Sequence, residues 1–154
     1  MSLIVGVAAD GARIPISRDR VARIARSVLR SERVGNALLS ITFVSNPAIA
    51  ALNRRHLRRR GTTDVIAFGF RGEAARPRRG ARAPVVGDVY IAPAVARESA
   101  RAHRIGVREE VVRLIVHGTL HVLGHDHPEG EGRVRSPMWR KQERLVKRLA
   151  QGRG

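Results

Sequence analysis

Residues 107–127 read VREEVVRLIVHGTLHVLGHDH, and their pattern decides how the rest of the chain is arranged. Up to Leu123 the apolar residues lie on most sides of a helical wheel rather than in one stripe. A helix of that kind must be covered on most sides, so it is expected at the centre of the domain. Glu109 and Glu110 stand in its first turn, where the positive end of the helix dipole favours carboxylates. Gly124 follows the last apolar residue and permits the backbone to leave the helix.

Four of the chain's six histidines fall between positions 117 and 127. His117 and His121 are separated by about 400° of helical rotation, so both rings leave one face, one turn apart. Two imidazoles so placed can bind one zinc or similar ion. Two residues compete to be the third ligand. His125 would continue the ladder only if the helix persisted past Gly124. His127 needs the turn that the glycine makes easy, and it approaches from another direction, as a tetrahedral ion prefers. The geometry favours His127 and leaves His125 as an exposed turn residue or a substrate contact. Three neutral imidazoles leave a fourth position for water, whose pKa zinc lowers to about 7. A structural zinc would be closed by four protein ligands. The plainer alternative makes these histidines helix-end caps and solvated turn residues, which does not account for their spacing around Gly124. The spacing H-x-x-x-H-x-x-G-x-x-H is also shared with metzincin proteases, which carry a glutamate directly after the first histidine as general base. Gly118 occupies that place, so a peptidase of that type lacks its base.

Outward from the central helix, the chain alternates strands and helices. Residues 3–8, LIVGVA, read as a strand. SRDRVARIARSVLR follows with Ser17 as N-cap and Val21, Ile24, Ala25, Val28 and Leu29 on one face. ALLSITFVS alternates Leu39, Ile41 and Phe43 against Ser40 and Thr42, a half-buried strand. Asn46 and Pro47 are expected to cap and open a short helix reaching about Arg55. TDVIAFGF and VVGDVYIA read as two further strands. The segment between them, residues 71–84, is rich in Gly, Pro, Ala and Arg and is expected to be a mobile basic loop. Pro93 opens a helix to about His103, and Ser136-Pro137 starts a last one with Met138, Gln142, Leu145 and Leu149 along one stripe. The order β-α-β-α-β-β-α-α-α predicts one α+β domain over residues 1–154: a small mixed sheet packed with helices, and a buried central helix bearing the histidines. The first two strands can be parallel across their helix, and the later pair can form a hairpin.

Composition narrows the partners. The chain has 154 residues, 43% of them hydrophobic but only 3% aromatic, so its core is mostly Val, Leu, Ile and Ala. The absence of cysteine removes disulfides, thiolate nucleophiles and Cys-based zinc sites. No apolar run approaches the roughly 20 residues of a membrane span. The first residues lack a basic region ahead of the apolar stretch, so the chain is expected in the cytoplasm. The formal net charge is +17. Such charge attracts polyanions, and a nucleic acid is the expected partner. Because nearly all the basic residues are arginine, genomic base composition offers a blander explanation. RRHLRRR, residues 54–60, carries five arginines in seven positions. It is a solvated face by default and a phosphate-contacting surface if it borders the cleft.

HGTLHVLGHDH, residues 117–127, resembles the signature of the YbeY family of single-domain, zinc-dependent endoribonucleases, also called rRNA maturation factors. ALNRRHLRRRGTTDVIAF, residues 51–68, is similar to that family's Leu-Asn segment leading into a Thr-Asp-Val strand. VVGDVYIA is similar to its Gly-Asp strand, and Met138 and Gln142 fall where its last helix usually has Met and Gln. The resemblance covers nearly the whole chain. It implies an α+β fold and one zinc ion per chain held by His117, His121 and His127. It also implies cleavage of single-stranded RNA in 16S rRNA maturation on the small ribosomal subunit, with no DNA or membrane partner. The chain departs from the family at His56, Leu57 and Arg58, which stand in place of Tyr-Arg-Gly. The family's arginine is thus absent from its usual position, and Arg58 or Arg59 is expected to substitute for it. Arg54, Arg55, Arg58, Arg59 and Arg60 are the expected RNA contacts. The segment after His127 is also less acidic than expected for the family.

For the chemistry, a bound metal can activate water or polarise a phosphate oxygen, and the RNA 2′-OH is an alternative nucleophile. Asp126 reads equally as general base or as the acceptor that holds a histidine ring. Asp64 and Asp88 read as structural hydrogen-bonding groups, as do Thr62 and Thr63. Trp139 and Tyr90 read as core or rim. A non-catalytic, zinc-stabilised RNA-binding assembly factor is the alternative function, with His125 able in principle to complete a closed site.

Overall fold

The structure is a computed structural model that describes residues 2–70 and 84–151; the expected basic loop falls almost wholly outside them. Among the described residues the elements are β1 (Leu3–Asp10), α1 (Arg18–Ser31), β2 (Ala37–Val44), α2 (Asn46–Leu57), β3 (Val65–Gly69), β4 (Val85–Ile91), α3 (Pro93–His103), α4 (Val107–Val122), a 3₁₀ helix (Gly130–Arg135) and α5 (Pro137–Leu149). The sheet order is β1-β2-β4-β3. β1, β2 and β4 run parallel, with Leu3 opposite Ala37 and Leu39 opposite Gly87, and β3 closes the sheet antiparallel to β4. This is the small mixed α+β sheet that the order of elements predicted. No helix among the described residues is long and apolar enough to cross a membrane.

The period-2 pattern of β2 divides the molecule. Leu39, Ile41 and Phe43 face the main core with Val89 and Ile91 of β4, the apolar face of α1, and α4 and α5. On the opposite face, Val44 and Ile66 pack with Ile49 of α2. Helix α4 buries eleven of its sixteen residues, so it is the central helix. Each buried aliphatic side chain there contributes roughly 1.5–3 kcal/mol by leaving water.

Two side-chain caps follow the sequence reading and one does not. Ser17 caps α1 by accepting from the Arg20 N–H, and Ser136 caps α5 by accepting from the Trp139 N–H. In α2 the cap is Ser45, whose hydroxyl accepts from the Ala48 N–H, and the helix ends at Leu57 rather than near Arg55. Asn46 is already the first helical residue. Pro47 tolerates that register because an N–H at the second helical position has no intrahelical partner either.

The placement of α4 depends on small residues at its contact with the sheet. A Cβ added at Gly118 would lie 2.6 Å from Cγ1 of Val89 and 3.3 Å from Cγ2 of Val65. The glycine that stands where a metalloprotease has its glutamate is therefore one of the residues that let α4 lie down on β3 and β4, as Gly69 and Gly87 do beneath Val122. At Gly118 a side chain forces helix and sheet apart, so Gly118→Ala is expected to destabilise by about 1–3 kcal/mol. Gly6→Ala, where a Cβ meets nothing within 4 Å, serves as control. Thermal unfolding of the two variants checks this; equal melting temperatures would sink the close-approach argument.

Candidate metal centre and cleft

Helix α4 ends as its sequence predicts. Gly124 takes φ +96°. The Gly124 N–H donates to the His121 carbonyl, and the His125 N–H donates to that of Leu120, both at 3.0 Å. These two bonds are the glycine-terminated helix stop that reverses the chain. The reversal returns His127 to the helix. One ligand atom from each of His117, His121 and His127 lies within 4.8 Å of the others. The ring centroids are 4.5 Å apart for His117–His121 and 5.1 Å for each pair with His127.

His125 is turned elsewhere. Its Nε2 lies 2.6 Å from a carboxylate oxygen of Glu32, just past the end of α1, and Lys141 of α5 meets the same carboxylate at 3.0 Å. This residue ties the reversing turn to α1 and α5, and it is not part of the three-histidine group. Asp126 lines the cleft, and one of its oxygens accepts the His127 backbone N–H at 2.8 Å.

The rings are held in place by groups remote in sequence. Nδ1 of His117 lies 2.6 Å from the Gln142 side-chain oxygen. An amide oxygen only accepts, so Nδ1 carries the proton and Nε2 keeps the lone pair. Gln142 in turn donates to Glu143 at 3.1 Å, and Glu143 receives two bonds of 2.9 Å from Arg113 of α4. In the same way, His127 Nδ1 lies 3.1 Å from the Pro128 carbonyl. Burial lowers the His117 pKa to about 4, despite the Gln142 hydrogen bond. Burial also lowers that of His121, with the neighbouring His127 adding to the effect. Both imidazoles are therefore neutral at neutral pH, which a metal requires of them. The donor set fits a divalent ion bound by three imidazoles, with the remaining side open.

That side opens into a cleft of about 680 Å³ lined by Thr62, Thr63, Asp64, Arg59, Arg60 and Arg133 besides the three histidines and Asp126. Thr62, Thr63 and Asp64 read as structural from sequence. Asp64 does accept a backbone bond through its carbonyl, from Ala92 at 2.9 Å, but all three face the cleft. The arginine-rich run divides. Arg59 and Arg60 line the cleft, Arg59 in an ion pair with Glu129, whereas Arg54, Arg55 and Arg58 are exposed outside it. Arg58 is the left-handed C-cap of α2, with φ +53°. Leu57, at the position where the family has arginine, lines the cleft. Asp88 and Tyr90 lie away from it, on the sheet face that carries α2.

The chain matches the family model described as Endoribonuclease YbeY over residues 8–150. It belongs to the YbeY family. Relatives bearing that name include proteins of Bacillus licheniformis (34% identical, 96% of each chain covered), Beutenbergia cavernae (40% identical, 75% of this chain and 79% of the relative) and Thermobifida fusca (36% identical, 75% and 76%). A solution structure from Thermotoga maritima has the same fold, with a TM-score of 0.58 at 21% identity over 95% of this chain and 89% of that one. Within this YbeY chain, sequence reasoning placed Gln142 on the last helix but not its contact with His117, and it assigned Arg133 no role. Gln142 was legible as a polar residue on the otherwise apolar Met138–Leu145–Leu149 stripe. Arg133 had no signal, because it lies in a segment without periodicity.

Two measurements test this arrangement. Gln142→Leu keeps the volume but frees the His117 ring, so metal affinity in a chelator competition should fall about 10–100-fold. Unchanged affinity would mean that the amide does not orient the ring. The second concerns pH. Between about pH 6.5 and 4 the unfolded chain binds a proton at position 117 that the folded chain does not. The metal-free protein should therefore keep this contribution above about pH 6.5 and lose up to about 3 kcal/mol as the pH falls to about 4. His117→Gln lacks the group, so its melting temperature should fall less over that range. Parallel curves for the two proteins would contradict the assignment.

Proposed function

We propose that this chain is a zinc-dependent endoribonuclease that cuts single-stranded RNA, with His117, His121 and His127 as ligands of one zinc ion. We place its substrate in the precursor of 16S rRNA on the small ribosomal subunit, in the cytoplasm, where the protein serves 3′-end maturation and ribosome assembly. Membership of the YbeY family supports the RNA-cleaving reading. The observation that carries it is the three-histidine group lying in an arginine-bordered cleft with one side open.

When bound, zinc supplies Lewis acidity to a phosphate oxygen or to water. The protein supplies the rest. His117 is fixed by Gln142 and His127 by the Pro128 carbonyl, so the ligand rings need little reorganisation. Arg59 and Arg60 line the cleft and attract the RNA backbone, and Arg54, Arg55 and Arg58 extend that basic surface outside it. Asp126 presents a carboxylate in the cleft, held by the His127 N–H, and we assign it the proton taken from the attacking oxygen. The alternative, a closed structural zinc with His125 as fourth ligand, is disfavoured because His125 directs its Nε2 to Glu32.

The test is metal content by mass spectrometry together with cleavage of a labelled single-stranded RNA by wild type and His117→Ala. Wild type should carry about one zinc and cleave. The variant should lose metal and at least about 100-fold in rate while its circular dichroism is retained. RNA binding by both proteins with cleavage by neither would leave an assembly factor and remove the enzyme.

A further inference from the structure

Arg133 is held unlike the other arginines of the cleft. Arg59 and Arg60 are exposed, and Arg59 already has Glu129 as a partner. Arg133 is half-buried on the 3₁₀ helix and walls two spaces at once: the metal cleft and a second cavity of about 480 Å³ that shares Asp64 and His117 with it. Its carbonyl accepts from the Ser136 N–H at 3.2 Å and the Ser136 hydroxyl at 2.7 Å, which pins its backbone to the start of α5. Its guanidinium carbon sits 5.5 Å from the centre of the Trp139 ring. It shares the lining of the metal cleft with His117, His121 and His127.

One polar atom in this arrangement lacks a partner. Nε of Arg133 is buried and makes no hydrogen bond among the described residues. A buried donor left unpaired costs about 1–3 kcal/mol, and more when it is charged. An aromatic ring beneath a guanidinium holds its plane and leaves its edge N–H groups for another acceptor. Arg133 lines the cleft beside His117, so an anion there can accept from the terminal N–H groups of the guanidinium, whose fork matches phosphate oxygens in particular.

We propose that Arg133 binds the non-bridging oxygens of the RNA phosphate lying over the three histidines, making it a catalytic residue of this chain. The assignment rests on the endoribonuclease reading above. Arg59 and Arg60 then provide general attraction, while Arg133 neutralises charge developing on the phosphate during cleavage. Were Arg133 only a brace between the 3₁₀ helix and Trp139, its loss would lower stability and leave RNA untouched.

The experiment uses the full chain loaded with zinc and compares Arg133→Gln with Arg144→Gln, which removes the same charge from the exposed side of α5. Zinc content, thermal unfolding, single-turnover cleavage of a short single-stranded RNA and its binding by fluorescence anisotropy across a salt series are measured. Arg133→Gln should keep its zinc and cleave about 10²–10³-fold more slowly. Its salt slope should fall by about 0.7, one phosphate contact on a single strand. Arg144→Gln should stay within about threefold of wild type, since it gives up only distant, screened charge. Arg133→Lys should recover binding more than rate, because a point charge replaces a fork. The inference is overturned if Arg133→Gln, folded and zinc-loaded, cleaves and binds as Arg144→Gln does. If wild type cleaves no RNA, the endoribonuclease reading falls and the binding series decides alone: wild-type affinity and slope in Arg133→Gln overturn the phosphate contact, and their loss upholds it. Should Arg133→Gln not fold, Arg133→Met keeps the aliphatic stem against Trp139 and is judged by the same outcomes.

Discussion

The cleft depends on how closely one buried helix can lie on the sheet. Gly118 brings α4 down onto Val89 and Val65, and the same helix turns His117 toward Gln142 of α5. Two of the three clustered rings are therefore placed by a helix gripped from opposite sides. Close-packed interiors transmit small displacements rather than absorbing them. A shift of α4 away from the sheet would move His117 and His121 together, and the turn that carries His127 with them. The fold and the three-histidine group share one set of contacts.

Electrostatics then divides the carboxylates near the site. Some line the cleft, and others tie elements together. Arg113 joins Glu109 within α4 to Glu143 of α5, and Glu32 joins His125 of the reversing turn to Lys141 of α5. These pairs tie α1, α4, α5 and the reversing turn to one another. The cleft itself carries Asp64, Asp126 and Glu129 beside Arg59, Arg60 and Arg133, with Glu129 paired to Arg59. Burial and nearby positive charge keep His117 and His121 in their neutral, lone-pair-bearing form. The same positive charge opposes a bare cation, so an anionic ligand beside the metal would offset it.

Much of the domain was legible in the sequence, because its strongest signals are local. The all-round apolar character of residues 107–123 gave the central helix, the alternation of Leu39, Ile41 and Phe43 gave β2, and Ser17 and Ser136 marked their helix starts. Signals that depend on register by one residue were weaker. Ser45 caps α2 in place of Asn46, since both residue types cap and only backbone geometry separates them. Thr62, Thr63 and Asp64 resembled turn residues because turn and cleft use the same side chains. The arginine run shows the same limit: composition marked 54–60 as basic, but only the folded chain, which ends α2 at Leu57 with a left-handed cap, brings Arg59 and Arg60 to the cleft and leaves Arg54, Arg55 and Arg58 outside it.

The sequence by itself determined the spacing that lets three histidines converge. Four residues make one helical turn, and a glycine after the helix reverses the chain; both follow from backbone geometry that needs no distant partner. Only the tertiary structure decided what surrounds those rings. Gln142 is 25 residues from His117, Glu32 reaches His125 in the reversing turn from just past the end of α1, and Arg133 reaches the cleft from a segment with no periodic pattern. Gly118 is the sharpest case. In the sequence it is a missing general base, and in the fold it is a contact that allows the helix to approach the sheet, because a side chain there would occupy the space that Val89 already fills.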